Sequence, residues 1–176
     1  MEEFNERNYT TLATAGPYLR HPDTNRPIDG SVNVTPFGDD NWLKSADSVN
    51  RGFGTILHEF LHVIAFIGLD KYHNYIELRN NRTQPFWTGP KVVSVARKHY
   101  NCGSLTGVPI QNLNGRVGGH WAEAYLSNEL MTPVTGADPE VMSALSLALI
   151  EDTRWYRVNY KMAERYTYNK GAGCYS

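Results

Sequence analysis

The chain has 176 residues, 41% hydrophobic and 20% charged, which suits one globular domain and excludes a disordered tail or a collagen-like repeat. Lys and Arg total 17 against 18 Asp and Glu, a formal net charge of -1, so nothing in the overall balance draws the chain to nucleic acid or to an anionic membrane. No apolar run approaches the ~18 residues of a membrane helix, and the opening MEEFNERNYTTLATAGPYLR has neither a basic start nor an apolar core, so no signal peptide is expected in this chain.

Residues 9–18 and 27–36 read as short strands, the second with Ile28, Val32 and Val34 in alternation between two prolines. Residues 36–42 form a loop. From about Ser48 to Gly68 the run GFGTILHEFLHVIAFIG predicts a helix that is apolar apart from Thr55, Glu59 and two histidines. Apolar residues on every side imply a helix walled in by the rest of the protein, with Gly68 as its stop. Residues 69–88, polar and rich in Asn and Arg, read as a surface loop. Pro90 then opens a short helix, PKVVSVARKHY.

Residues 101–119 carry five glycines without helical period and read as an irregular loop leading to His120. Asp138-Pro139 marks the start of a further helix, a capping carboxylate followed by proline, which runs to about Thr153. Arg154, Trp155 and Tyr156 open an aromatic tail. Two cysteines, Cys102 and Cys174, make at most one bridge and are equally compatible with free thiols.

The chemistry concentrates in His58-Glu59-Phe60-Leu61-His62. Positions four apart share a helix face, so both imidazoles reach one metal ion. Glu59 is rotated by about a hundred degrees from His58, beside the metal and within reach of a water that the metal acidifies. The bland alternative is a buried helix with two satisfied core histidines, but two imidazoles and a carboxylate are costly to bury without a partner. A catalytic zinc takes three protein ligands and leaves a fourth position open. Of the other histidines, His21 and His73 fall in turns or polar loops and His99 near a helix end, where exposure is expected. His120, after the glycine-rich stretch, is the best third ligand.

GGHWAEAYLSNELMTPVTG resembles the corresponding region of leishmanolysin-type peptidases, members of the metzincin clan. NRPIDGSVNVTP, ARKHYNCGSLTGVPIQN and LSLALIEDTRWYRVNYKMAE are similar to other parts of that family, so the likeness runs over roughly residues 9–176. It implies one Zn2+ per chain held by His58, His62 and His120, Glu59 as general base, and Met131 as a structural floor (the Met-turn) that does not ligate. The residues alone leave Met131 open to ordinary core packing. The implied fold is α+β: a metzincin-like catalytic domain with a reduced N-terminal sheet, the HExxH helix and a mainly helical C-terminal subdomain. One domain, 1–176, would divide into about 1–68, an insertion at 69–119, and 120–176 with the third ligand, the Met-turn and the last helix.

Ala65 stands where metzincins commonly have glycine, and alanine favours continued helix. Ala122 replaces the carboxylate that usually follows the family's His-Trp, with Glu123 one residue on. Relatives often carry cysteine at the places of Tyr18 and Thr35. The reduced sheet leaves an open edge, which implies a fragment, a protein partner that covers the gap, or a domain pared down for another use.

Three functions follow. The first is a zinc endopeptidase acting on a protein or peptide laid along the strand near residues 28–35. The second is a structural or interaction module that keeps the peptidase scaffold. The third, single-strand binding by Arg154, Arg157, Lys161, Arg165 and Lys170 among Trp155, Tyr156, Tyr160, Tyr166 and Tyr168, is weaker than a packed aromatic tail with solvated charges, so no nucleic-acid partner is expected. The resemblance implies a cell-surface or secreted protein, while the chain itself carries no address.

Overall fold

The computed structural model describes residues 12–34, 45–66, 76–79, 84–114, 116–133 and 140–174. Strands β1 (Ala13–Arg20) and β2 (Pro27–Val34) pair antiparallel as a two-stranded sheet. Helix α1 (Ala46–Leu61) runs into a π-helical turn at His62–Phe66, and the small sheet packs against both. A Cβ at Gly30 would lie 2.6 Å from Val63 Cγ1, so the sheet reaches the π-helical turn only through a glycine.

Strands β3 (Ile76–Arg79), β4 (Gln84–Trp87), β5 (Val108–Leu113) and β6 (Arg116–Trp121) form a second antiparallel sheet in chain order. Helix α2 (Pro90–Tyr100) lies between β4 and β5 in sequence and packs against α4 (Ala144–Asp152), with the short α3 (Glu123–Leu126) between β6 and α4. Gly89 gives α2 no side-chain cap, and α4 supplies one: Asp152 accepts from Lys91 N at 2.9 Å, Val92 N at 3.1 Å and Trp87 Nε1 at 3.2 Å. One core, including Phe66, Trp87, Tyr100, Ile110, Trp121, Met131 and Leu149, joins the π-helical turn, the second sheet and helices α2 to α4. The fold is the mixed α and β arrangement that the sequence implies.

Several local expectations are corrected. The surface loop of 69–88 contains β3 and β4, and Phe86 and Trp87 are buried because an apolar pair at the sheet centre outweighs the polar flanks. The stretch of 101–119 is irregular only to 107; from Val108 it enters a β-hairpin with β6, in which Leu113 pairs with Arg116 and Asn114 takes the left-handed conformation at φ 53°. Asp138-Pro139 lies outside the described residues, and the helix begins at Ala144, capped by Ser143 Oγ accepting from Leu145 N at 3.1 Å. Val141 is instead bridged to Glu129.

The last correction concerns α1. It is not walled in: Val49, Phe53, Ile56 and Phe60 are exposed, a stripe at spacings of four, three and four, while Leu61 is buried. Strand β1 also runs later than expected, to Arg20, and Ile28 and Val34 of β2 face solvent. The expected stop at Gly68 lies outside the described residues.

Candidate metal centre

Three histidines meet from two directions. His58 lies in the last turn of α1, and His62 opens the π-helical turn four residues later on the same face. His120 arrives from β6. The Nε2 atoms stand 3.0 Å apart for His58 and His62, 3.0 Å for His62 and His120, and 3.2 Å for His58 and His120. Gly119 permits this approach, since a Cβ there would lie 3.0 Å from the Phe66 carbonyl oxygen and 3.6 Å from His62 Cε1.

The second nitrogen of each ring faces an oxygen. His58 Nδ1 donates to the Leu130 carbonyl, His62 Nδ1 to the Phe66 carbonyl at 3.3 Å, and His120 Nδ1 to Gln111 Oε1 at 2.8 Å. A carbonyl or amide oxygen only accepts, so each ring carries a proton on Nδ1. Burial keeps the rings neutral at ordinary pH. It lowers His62 to about 4, helped by His58, and His120 to about 3, helped by His62 and His58. His58 is also lowered by burial, with its bond to Leu130 acting the other way. Three neutral rings thus turn their Nε2 lone pairs on one another at about hydrogen-bond distance with no proton between them.

That arrangement fits a cation. Nitrogens bound at 2.0–2.1 Å in a tetrahedral zinc site stand roughly 3.3–3.4 Å apart, close to the spacing here. Among the described residues, these three histidines are the group able to hold a metal ion. Glu59 is buried beside His58, and burial raises its pKa. Its Oε2 has no hydrogen-bond partner among the described residues.

The Leu130 carbonyl that faces His58 belongs to the segment Glu129-Leu130-Met131. Met131 is fully buried, its N–H donates to Glu129 Oε2 at 2.7 Å, and its carbonyl accepts from Trp121 N at 2.9 Å. One backbone turn therefore holds both His58, through Leu130, and the residue after His120. Glu129 is completely buried and binds α4 through Ser143 Oγ at 2.7 Å and Ser146 Oγ at 2.6 Å.

The structure brings His58, His62 and His120 together, with Glu59 adjacent to His58 in the chain and Met131 joined to the residue after His120. His21 is exposed in a turn, and His73 lies outside the described residues. His99 is half-buried, not exposed: it donates to the Tyr168 carbonyl at 2.8 Å and stacks on Tyr166. Ala65 is buried within the π-helical turn, so the chain stays helical past that position. Ala122 precedes α3, and Glu123 sits in its first turn. Gln111 and the serines around Glu129 are partners that the sequence reading missed.

Comparison along the whole chain decides its relationship. The model of the leishmanolysin family of peptidases matches residues 9–176. The chain belongs to the leishmanolysin family. It is 30% identical over 214 aligned residues to a leishmanolysin-like peptidase of Caenorhabditis briggsae, covering 93% of this chain and 31% of that protein. A leishmanolysin-like peptidase of Drosophila pseudoobscura pseudoobscura is 38% identical over 209 residues, 93% of this chain and 30% of that protein. A leishmanolysin homolog of Crithidia fasciculata is 30% identical over 128 residues, 68% of this chain and 19% of that one. The chain spans about a third of the length of the first two relatives. Leishmanolysins are metallopeptidases, which implies a metal ion, and the three-histidine group is a place able to take it. No described helix is long and apolar enough to cross a membrane.

Proposed function

We propose that this leishmanolysin-family chain is a zinc-dependent endopeptidase core, with His58, His62 and His120 as ligands of one Zn2+, Glu59 as general base and Met131 as the floor beneath them. The observation that carries this reading is the set of three Nε2 lone pairs converging at 3.0–3.2 Å, each ring oriented by an acceptor on its far side. Bound there, zinc supplies a Lewis acid that polarises a peptide carbonyl and acidifies a water. The remaining roles belong to the chain. Glu59 Oε2, buried and without a partner among the described residues, takes the proton of the attacking water and delivers it to the leaving amine. Its raised pKa brings the carboxylate closer to the range in which one group both accepts and returns a proton. The substrate class is an extended peptide or unfolded protein segment, added along the edge of β2 by backbone pairing.

Glu59→Gln tests this reading. The variant keeps zinc at one equivalent per chain and loses cleavage of an unfolded protein by about a hundredfold or more. Unchanged cleavage removes Glu59 from the mechanism. A second reading, an interaction module on the same scaffold, rests on the exposed stripe of Val49, Phe53, Ile56 and Phe60. It gains the lead if the purified chain holds no zinc and turns over no peptide.

A further inference from the structure

We infer that Gln111 is the positioning residue of the third histidine: its amide oxygen fixes the tautomer and the orientation of His120, and Gly118 is kept bare to admit it. This rests on the zinc-site reading above and deepens it.

The strand pairing itself aims the side chain. Ile110 pairs with Trp121 and Asn112 with Val117, so one residue of β5, Gln111, stands opposite Gly118, Gly119 and His120 of β6. Such a bulge bends the strand and re-aims side chains. Here it brings Gln111 Oε1 to 2.8 Å from His120 Nδ1. Space for the amide comes from the facing glycine. A Cβ at Gly118 would lie 2.3 Å from Gln111 Oε1 and 2.8 Å from Gln111 Cβ, closer than any real contact.

The three rings are not held alike. His58 and His62 point their Nδ1 atoms at backbone carbonyls, which the fold itself fixes. His120 alone depends on a side chain, and it comes from the second sheet, not from α1. Without an acceptor at Nδ1, a neutral imidazole is free to carry its proton on Nε2, the atom that faces the other two rings. The outer partner of a ligating histidine commonly contributes 10–100-fold to metal affinity by holding ring and tautomer.

The experiment measures the zinc dissociation constant of the whole chain by competition with a chelator, together with the visible spectrum of the Co2+-substituted chain. Gln111→Leu keeps the bulk, loses the acceptor and weakens zinc about 10–100-fold, with an altered cobalt spectrum. Gln111→Glu, which restores an acceptor of the same reach and adds charge, binds at least as tightly as the parent and shifts the cobalt spectrum. Gly118→Ala weakens zinc as Gln111→Leu does, and the double variant is no weaker than either single one, because both remove one contact.

Parent-like zinc affinity in folded Gln111→Leu overturns this inference and leaves the three-histidine site standing. If Gln111→Leu does not fold, Gln111→Glu decides: an unchanged dissociation constant with an unchanged cobalt spectrum overturns it. Absence of zinc binding by the parent chain overturns the metal site and this inference together.

Discussion

Glu129 Oε1 accepts a hydrogen bond from Ser146 Oγ at 2.6 Å, and the same hydroxyl accepts from Trp121 Nε1 at 2.9 Å. One buried carboxylate thus ties the turn that carries Leu130 and Met131 to α4, and through Ser146 to the residue after His120. Its other bonds come from Ser143 N, Ser143 Oγ and Met131 N. Replacing it with an apolar group leaves these buried donors without an acceptor, at about 1–3 kcal/mol for a buried group left unsatisfied. Hydroxyls can turn elsewhere, so Glu129→Leu is expected to destabilise the chain by about 2–4 kcal/mol. Urea unfolding checks it, and a loss under about 0.5 kcal/mol would remove Glu129 from the framework of the site.

The metal-free chain is expected to lose stability on mild acidification. His62 and His120 have folded-state pKa values lowered to about 4 and about 3, while an unfolded histidine titrates near 6.5. Between those limits the unfolded state binds more protons, so stability falls as pH drops from about 6.5 towards 4. Buried Glu59 and Glu129, whose pKa values are raised, act in the opposite sense. The check is therefore a difference: thermal unfolding of the chelator-treated parent against His120→Asn. The parent should show the steeper decline over that window, and parallel profiles would contradict the neutral-histidine cluster.

Cys102 and Cys174 are bridged, with Cα atoms 5.1 Å apart and a separation of 72 positions in sequence. The bridge anchors the C-terminal segment to the end of α2, where Gly171 N donates to the His99 carbonyl at 2.8 Å and Gly173 N to the Tyr100 carbonyl at 2.7 Å. A loop of that length predicts a chain-entropy contribution of about 4 kcal/mol, with typical measured values of about 2–4. Cys174→Ser should lower the urea midpoint accordingly, and reduced parent chain should unfold at the same midpoint as the variant. Equal midpoints for oxidised parent and variant would contradict a stabilising bridge.

The three converging histidines were legible in the sequence because helical spacing and metal chemistry constrain the same few positions. His58 and His62 follow from one turn of helix, and His120 from a shared context around it. The second sheet was less legible. Phe86 and Trp87 sit in a polar neighbourhood that masks a four-residue strand, and glycines at 118 and 119 read as loop although they serve close packing. The signal for the hairpin was the Asn114-Gly115 pair between Leu113 and Arg116, which outweighs glycine content when register is considered. Gln111 carried no signal alone, since its role exists only through the bulge that sets it against His120. The helix start at Ala144 was missed because Asp138-Pro139 reads in sequence as a strong cap signal, while the bridge between Glu129 and Val141 keeps the chain extended until Ser143.

Phe53 and Phe60 separate the two functional readings. They are 67% and 50% exposed on α1, on the stripe shared with Val49 and Ile56. Truncating a buried phenylalanine costs about 3–5 kcal/mol, whereas surface substitutions stay within about 0.5. The double variant Phe53→Lys, Phe60→Lys should therefore cost no more than about 1 kcal/mol and retain zinc. If the stripe mediates association, sedimentation of the parent shows self-association or partner capture that the double variant loses, while any peptide cleavage persists. A stability loss of several kcal/mol would place both rings in a core and end the interaction reading. Loss of cleavage with stability and zinc intact would instead mean that the stripe borders the path of the substrate, since Phe60 directly follows Glu59.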